Sequence, residues 1–237
     1  MNVRMNACVD GMRSPWQARR QLTRLAGFLL LAAVLLTGCN YVVLGDSLGS
    51  PNRTTYATDV ATMLHVQPTD LAVDGETLPV FEQRLLQDQA MRDAIAHADF
   101  VTLSIGSNDM MGYLIQYSFG DCDKGCIEGE IQGFEAAYAR TIGELRALTH
   151  ARIVVLDIYD PQPGMVDKYV LGQLASVDAF IHKTVCGQGA LVAWVADAFN
   201  GPDWTRNPVA AGYIGDIIHP SALGAQVIAQ AVMEAHC

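Results

Sequence analysis

The chain has 237 residues, of which 51% are hydrophobic, and its formal net charge at pH 7 is −10. A chain of this length can bury a full core and fits one domain better than two. Its acidic charge repels phosphate backbones and anionic membranes, so we expect no nucleic-acid partner.

The amino terminus has the pattern of an export signal. Met1–Arg24 carries five arginines and one acid, and Leu25–Leu36 is an apolar run too short to span a bilayer. The pattern predicts a signal peptide over residues 1–38 and a mature domain over residues 39–237. The four residues ending at Cys39 resemble a bacterial lipobox, which implies lipidation of Cys39. We therefore expect an exported protein, either secreted or held in the cell envelope by that lipid alone.

The cysteines support export. One of the six lies in the leader and Cys39 would carry the lipid, which leaves Cys122, Cys126, Cys186 and Cys237. Four cysteines in an exported chain indicate two disulfides, with three connectivities open. We favour Cys122 with Cys126, which flank one polar loop, and Cys186 with Cys237 by default; four reduced thiols are the alternative. No histidine or second pair follows at zinc-ligand spacing, so a metal site there is not expected.

Short apolar runs alternate with amphipathic stretches after Cys39. In chain order, the predicted strands are Tyr41–Leu44, Leu71–Val73, Phe100–Ile105, Arg152–Ile158 and Leu191–Val195. The predicted helices are Thr55–His65, Val80–His97, Ile127–Thr149, Lys168–Val185 and Ala222–Ala235. Strands that alternate with helices predict a parallel sheet covered on both faces, which is a three-layer α/β/α domain.

Four short motifs are placed along this pattern. GDSL at Gly45–Leu48, DGET at Asp74–Thr77 and GSND at Gly106–Asp109 each follow a predicted strand. The fourth, DIIH at Asp216–His219, lies in a loop after the fifth strand. Ligands bind at the carboxyl edge of an open α/β sheet, so we expect these segments to converge there.

These motifs resemble those of the SGNH, or GDSL-type, hydrolase family, which is named for its Ser, Gly, Asn and His. The resemblance implies a flavodoxin-like fold with five parallel strands. It also implies that Ser47 is the nucleophile and that Asp216 and His219 complete a catalytic triad. The oxyanion-hole donors would be the backbone N–H groups of Ser47 and Gly75 and the side chain of Asn108. No cofactor or metal is expected.

The residues support that chemistry independently of the family. A serine hydroxyl needs a neighbouring base, and His219 is the histidine that lies beside a candidate orienting carboxylate in a loop. Pro220 disfavours helical backbone at His219, so an irregular turn can present His219 and Asp216 together. Ser221 then has the position of the N-cap of the last helix.

Each of these residues also has a structural alternative. Ser47 could cap a helix, Gly75 could be a turn glycine, and Asn108 could form an Asx-turn. A metal site near the fourth strand is disfavoured, because Asp160 precedes a proline and fits a turn; the residues considered for it are Asp157, Asp160 and Asp167. The histidines other than His219 are assigned to surface or cap positions; they are His65, His97, His150, His182 and His236.

One feature departs from the family pattern. Family members often have asparagine and a small residue where this chain has Asp70 and Asp74. A carboxylate that pointed into the oxyanion hole would oppose the negative charge formed there. We therefore expect the Asp74 side chain to face outward.

Substrate class is indicated by the apolar residues that follow Asn108. This segment is rich in methionine and aromatic residues, which can form an apolar lip that binds acyl chains. The apolar residues of the predicted lip are Met110, Met111, Tyr113, Leu114, Ile115 and Tyr117. The alternative is that they form the buried side of a short helix. We expect a monomeric serine esterase for lipid or short-acyl esters. Acetylated carbohydrates, thioesters and a catalytically silent binding protein are the alternatives.

Overall fold

The computed structural model describes residues 38–53, 55–164 and 167–237. The predicted leader lies outside these residues, apart from Gly38. Leader cleavage and lipidation of Cys39 therefore stay predictions.

The centre of the molecule is a sheet of five parallel strands in the order β2-β1-β3-β4-β5. The strands are β1 (Tyr41–Gly45), β2 (Pro68–Asp70), β3 (Phe100–Ser104), β4 (Arg152–Leu156) and β5 (Leu191–Ala193). In the register of β1, Val42 lies opposite Thr69 on one side and Val101 on the other. This strand order is the flavodoxin-like one, and it confirms the predicted fold class.

Helices connect the strands and cover both faces of the sheet. They are α1 (Tyr56–Leu64), α2 (Leu78–Gln87), α3 (Gln89–Ala96), α4 (Ser107–Phe119), α5 (Lys124–Leu148), α6 (Lys168–Gly187), α7 (Val195–Asn200) and α8 (Ala222–Met233). Within the residues described, no helix combines the length and the hydrophobicity that crossing a membrane would need.

The core consists of two apolar clusters, one on each face of the sheet. Alternate residues of β1 point to opposite faces, so Val42 and Leu44 join one cluster while Tyr41 and Val43 join the other. The first cluster includes residues of α2, α3, α4, α5 and α6, and the second includes residues of α1, α7 and α8. Because both faces are covered, the inner strands β1, β3 and β4 are buried and mainly apolar, which is why short apolar runs marked them in the sequence.

Two predicted elements differ from those observed in more than their end residues. The second strand is Pro68–Asp70 rather than Leu71–Val73. The backbone nevertheless continues beside β1, since Leu71 N–H donates to the Val43 carbonyl at 2.9 Å. The predicted helix Val80–His97 is divided at Asp88, whose side chain accepts from Met91 N–H at 3.1 Å and so starts a new helix.

Two helices were not predicted as elements. Helix α7 has six residues, which is too short to show a helical period. Helix α4 begins after Gly106 and contains Gly112, and its apolar residues follow no single stripe. It is nevertheless a full helix of 13 residues that begins at the carboxyl end of β3.

Between cysteines of residues 55–164 and 167–237 there are two disulfides, and they are the pairs favoured from the sequence. Cys122 bonds to Cys126 with a Cα–Cα distance of 5.4 Å, at the start of α5. Cys186 bonds to Cys237 with a Cα–Cα distance of 5.7 Å and joins the end of α6 to the last residue. The second bond closes a loop of 51 residues, and a loop of that size corresponds to about 4 kcal/mol of reduced unfolded-state entropy.

Candidate active site

A tight turn after β1 places Ser47 at the carboxyl edge of the sheet. Gly45 has φ +107°, and a Cβ atom on it would lie 1.8 Å from the carbonyl oxygen of Ser104. Only glycine permits this approach of β1 to β3. Asp46 N–H donates to the same Ser104 carbonyl at 2.8 Å, and the Asp46 carboxylate accepts from Leu48 N–H at 3.1 Å. The GDSL motif is thus a turn that holds the Ser47 hydroxyl at the sheet edge.

The carboxyl group of Asp46 lies beneath this turn. The residue is 1% exposed, and burial raises the pKa of Asp46 to about 7. Its Oδ2 makes no hydrogen bond with the described residues. Protonation below neutral pH therefore limits the negative charge that this side chain places next to Ser47.

Ser47, His219 and Asp216 form a connected hydrogen-bond chain. The Ser47 Oγ lies 3.0 Å from His219 Nε2, and His219 Nδ1 lies 2.8 Å from Asp216 Oδ2. The other Asp216 oxygen accepts from the backbone N–H groups of His219 at 2.7 Å and Ile218 at 2.8 Å. These bonds hold the pKa of Asp216 well below its usual range. Asp216 is therefore ionised and can accept the Nδ1 proton of His219.

The loop that carries Asp216 and His219 is fixed from two sides. Tyr159 Oη donates to the Ile218 carbonyl at 2.7 Å, and Gln162 Nε2 donates to the Ile217 carbonyl at 2.9 Å. The loop is an irregular turn at His219, as predicted from Pro220. Ser221 Oγ accepts from Gly224 N–H at 3.1 Å, which confirms that Ser221 is the N-cap of α8.

Gly75 lies in a turn near the carboxyl edge of the sheet, the edge that carries Ser47. Glu76 N–H donates to the Val73 carbonyl at 3.1 Å, and Gly75 has φ +74° at the third position of this turn. A type II turn requires positive φ there, which explains the glycine. The Asp74 side chain is exposed, as expected from the sequence.

Hydrogen bonds join this turn and the start of α2 to the start of α4. Asn108 Nδ2 donates to the Glu76 carbonyl at 2.9 Å. Asp109 Oδ2 accepts from Leu78 N–H at 2.9 Å and so binds the first turn of α2. The Glu76 carboxylate is itself paired with Arg84 Nη1 at 2.7 Å. The DGET and GSND motifs therefore form one rigid unit with the Asn108 amide close to the Gly75 turn.

A cavity of about 320 Å³ opens beside Ser47. One face of α4 supplies its apolar wall, together with residues of the loop that carries His219; the apolar lining includes Met110, Met111, Leu114, Ile115, Phe119, Ile158, Leu174, Ile217 and Ile218. Of the six residues predicted as a lip, the four aliphatic and sulfur-containing ones line the cavity. Tyr113 and Tyr117 do not, and they pack against the core instead.

One residue next to the hydrogen-bond chain was not among the predicted site residues. Arg53 Nη1 lies 3.8 Å from Asp216 Oδ2 and 3.4 Å from His219 Nδ1. The Arg53 side chain is 40% exposed, so solvent weakens its attraction to Asp216. A lone arginine six residues after Ser47 gave no sequence signal for this contact.

The aspartates considered as metal ligands are separated in the structure. Asp160 accepts from Gln162 N–H at 2.8 Å, and Asp167 caps α6 by accepting from Val170 N–H at 2.9 Å. Asp157 instead contacts His182, whose ring lies 2.9 Å from its carboxylate. The assignment of His182 to a surface or cap position was wrong, because its side chain is only 18% exposed.

Comparisons with known proteins agree with this arrangement. Residues 43–227 match the GDSL-like lipase/acylhydrolase family, and no curated protein matches the sequence. A lipase from a goat rumen metagenome is similar with a TM-score of 0.70 at 16% identity, covering 83% of this chain and 96% of its own. An acetylxylan esterase from Geobacillus stearothermophilus is similar with a TM-score of 0.63 at 19% identity, covering 83% and 93% respectively. At these identities the solved structures establish a shared fold.

Proposed function

The chain belongs to the GDSL-like lipase/acylhydrolase family and is a carboxylic ester hydrolase; from this premise we propose that it cleaves acyl esters through an acyl-enzyme on Ser47. The observation that carries the proposal is the 3.0 Å contact between Ser47 Oγ and His219 Nε2. A serine in such contact with an oriented imidazole has the arrangement that nucleophilic catalysis requires.

The proposed acylation step uses each member of the hydrogen-bond chain. Because Asp216 accepts the Nδ1 proton, the Nε2 lone pair of His219 faces Ser47 and removes its hydroxyl proton. The Ser47 oxygen attacks the ester carbonyl carbon, and the resulting imidazolium is stabilised by ionised Asp216. When the tetrahedral intermediate collapses, Nε2 returns the proton to the departing alcohol. Water then enters by the same base-assisted route and releases the acid.

The oxyanion of this intermediate needs donors that are in place beforehand. An asparagine amide nitrogen carries two N–H groups, and one N–H of Asn108 is committed to the Glu76 carbonyl. We assign the second N–H to the oxyanion, together with the backbone N–H groups of Ser47 and Gly75. These groups supply the nucleophile, the base and the donors, so the proposed cycle uses no metal or cofactor. It also needs only one copy of the chain.

The apolar lining of the cavity supports esters with longer acyl chains as substrates over acetylated sugars. Its wall is formed mainly by apolar side chains of α4, such as Met111, Leu114 and Ile115. A sugar ring would leave its hydroxyl groups facing this wall without hydrogen-bond partners, whereas an acyl chain would bury its methylene groups there.

The substrate proposal predicts a dependence on acyl length. With nitrophenyl esters from acetyl to dodecanoyl, we expect kcat/KM to rise by up to about 4-fold per methylene until the cavity is filled. The series is measured at ester concentrations below micelle formation. A maximum at acetyl would contradict the binding of longer acyl chains in the cavity and favour the sugar acetate alternative.

A pair of tryptophan variants tests whether the cavity causes that dependence. Met111→Trp fills part of the cavity, so activity on long esters should fall at least about 10-fold while acetyl ester activity is retained. Leu86→Trp is the matched control, because Leu86 is 51% exposed on α2 and does not line the cavity. An equal loss of activity on short and long esters in Met111→Trp would show that the cavity does not select substrates by acyl length.

We also propose that the protein is exported. Two disulfides support this, since they persist in oxidising compartments. Lipidation of Cys39 stays a prediction from the leader sequence alone. Mass analysis of the mature protein tests both points: we expect an amino terminus at Cys39 carrying diacylglycerol. An uncleaved leader would contradict export through this signal.

A further inference from the structure

A second group of ionisable side chains lies outside the cavity beside Ser47. Asp157 follows the last residue of β4, and Asp178 and His182 lie one turn apart on α6. One oxygen or nitrogen from each of these three side chains lies within 4.8 Å of the other two. None of the three lines the cavity beside Ser47.

The charges in this group are balanced only if one carboxylate is protonated or a cation binds. Asp157 is 2% exposed and Asp178 is 9% exposed, and both face the single imidazole of His182. Even a protonated His182 would supply one positive charge for two buried carboxylates. Within the described residues, Asp178 Oδ1 is buried and makes no hydrogen bond. Buried carboxylates are costly unless they are protonated, paired or bound to a metal, and a bound cation would allow both carboxylates to ionise.

Two of the three distances are close to those around a small divalent cation. His182 Nε2 lies 2.9 Å from Asp157 Oδ2 and 3.6 Å from Asp178 Oδ2. A tetrahedral zinc ion with bonds of roughly 2.0 to 2.2 Å holds its ligand atoms about 3.4 Å apart. These two separations lie on either side of that value, and small side-chain shifts would bring both of them to it. One imidazole nitrogen with carboxylate oxygens is a donor set that zinc accepts.

Neighbouring groups hold these side chains in place. Asp157 Oδ1 accepts from Ala196 N–H at 2.8 Å, which leaves Oδ2 directed at His182. The Trp194 ring packs edge-on against the His182 ring, with centroids 4.2 Å apart. Contacts of this kind orient ligands in metal sites. The 18% exposure of the His182 side chain gives an ion access from solvent.

We propose that Asp157, Asp178 and His182 bind one zinc ion, which joins the carboxyl end of β4 to α6. The ion would bind the folded chain in preference to the unfolded one and so stabilise it by mass action. Its role is structural and does not depend on the esterase chemistry. The competing state is a metal-free hydrogen bond between His182 and Asp157.

The test uses the full chain after treatment with a chelator. Titration calorimetry with ZnCl₂ should give one ion per chain, and at zinc concentrations about 100 times the dissociation constant the melting temperature should rise by about 5 to 10 °C. Cobalt(II) should give the visible absorption bands of a low-coordinate nitrogen and oxygen site. Absence of stoichiometric zinc binding by the wild type would overturn the proposal.

Three variants locate the ion. Asp178→Asn and His182→Gln should each lower zinc affinity at least about 10-fold and remove the rise in melting temperature. Esterase activity reports whether these variants fold, because neither residue contacts the cavity. His219→Ala is the control for zinc binding at the other histidine and aspartate pair, and it should keep full zinc affinity. Binding that survives in Asp178→Asn and His182→Gln but is lost in His219→Ala would also overturn the proposal.

Discussion

Replacing Ser47 by alanine is expected to lower kcat/KM for nitrophenyl esters by about 10⁴- to 10⁶-fold. The variant removes the oxygen that lies 3.0 Å from His219 Nε2, and no acyl-enzyme can then form. Losses of this size are typical when a serine nucleophile is removed, and the residual rate comes from the oxyanion donors and substrate binding. The measurement is steady-state hydrolysis together with mass detection of the acyl-enzyme, which should carry the acyl group on Ser47 in the wild type alone.

Two further variants make this result specific. Ser118→Ala is the matched control, because Ser118 also lines the cavity but its hydroxyl donates to the Leu114 carbonyl at 2.7 Å. It should keep activity within about 3-fold of the wild type. The double variant Ser47→Ala, His219→Ala should be no slower than Ser47→Ala, because the two residues act as a unit. Wild-type activity in Ser47→Ala would rule out Ser47 as the nucleophile.

The position of the site followed from the sequence because parallel strands end at one edge of a sheet. Ser47, Gly75 and Asn108 each lie just after a strand or its extension, so chain order and strand direction were enough to bring them together. The Asp216–His219 loop was predictable for a different reason. Pro220 disfavours helical backbone at His219, and a turn of four residues lets a carboxylate reach the imidazole of its own loop.

The remaining features depend on contacts that no local pattern encodes. The bond from Asn108 to the Glu76 carbonyl and the bond from Asp109 to Leu78 N–H join segments about 30 residues apart. Helix α4 lacks a clear apolar stripe because one side faces the core and another faces the cavity. His182 was misassigned for a similar reason: its partner Asp157 lies directly after β4, 25 residues away in the chain.

Asn108 offers the clearest test of how the oxyanion is stabilised. Asn108→Ala is expected to lower kcat by about 100- to 1000-fold while KM changes by less than about 3-fold. A donor that acts on the oxyanion meets it only after attack, so its loss affects the transition state and not substrate binding.

The same substitution removes the hydrogen bond to the Glu76 carbonyl, so a structural effect must be separated from a catalytic one. Loss of one such bond costs about 1 kcal/mol and should lower the melting temperature by about 2 to 4 °C. The loop itself stays in place, because Asp109 still binds Leu78 N–H and Arg84 still binds Glu76. A phosphonate that mimics the tetrahedral intermediate should react with Ser47 more slowly in this variant by a factor close to the loss in kcat. If KM rose and kcat were unchanged, Asn108 would be a substrate-binding residue. The oxyanion would then be stabilised by the backbone N–H groups of Ser47 and Gly75 alone.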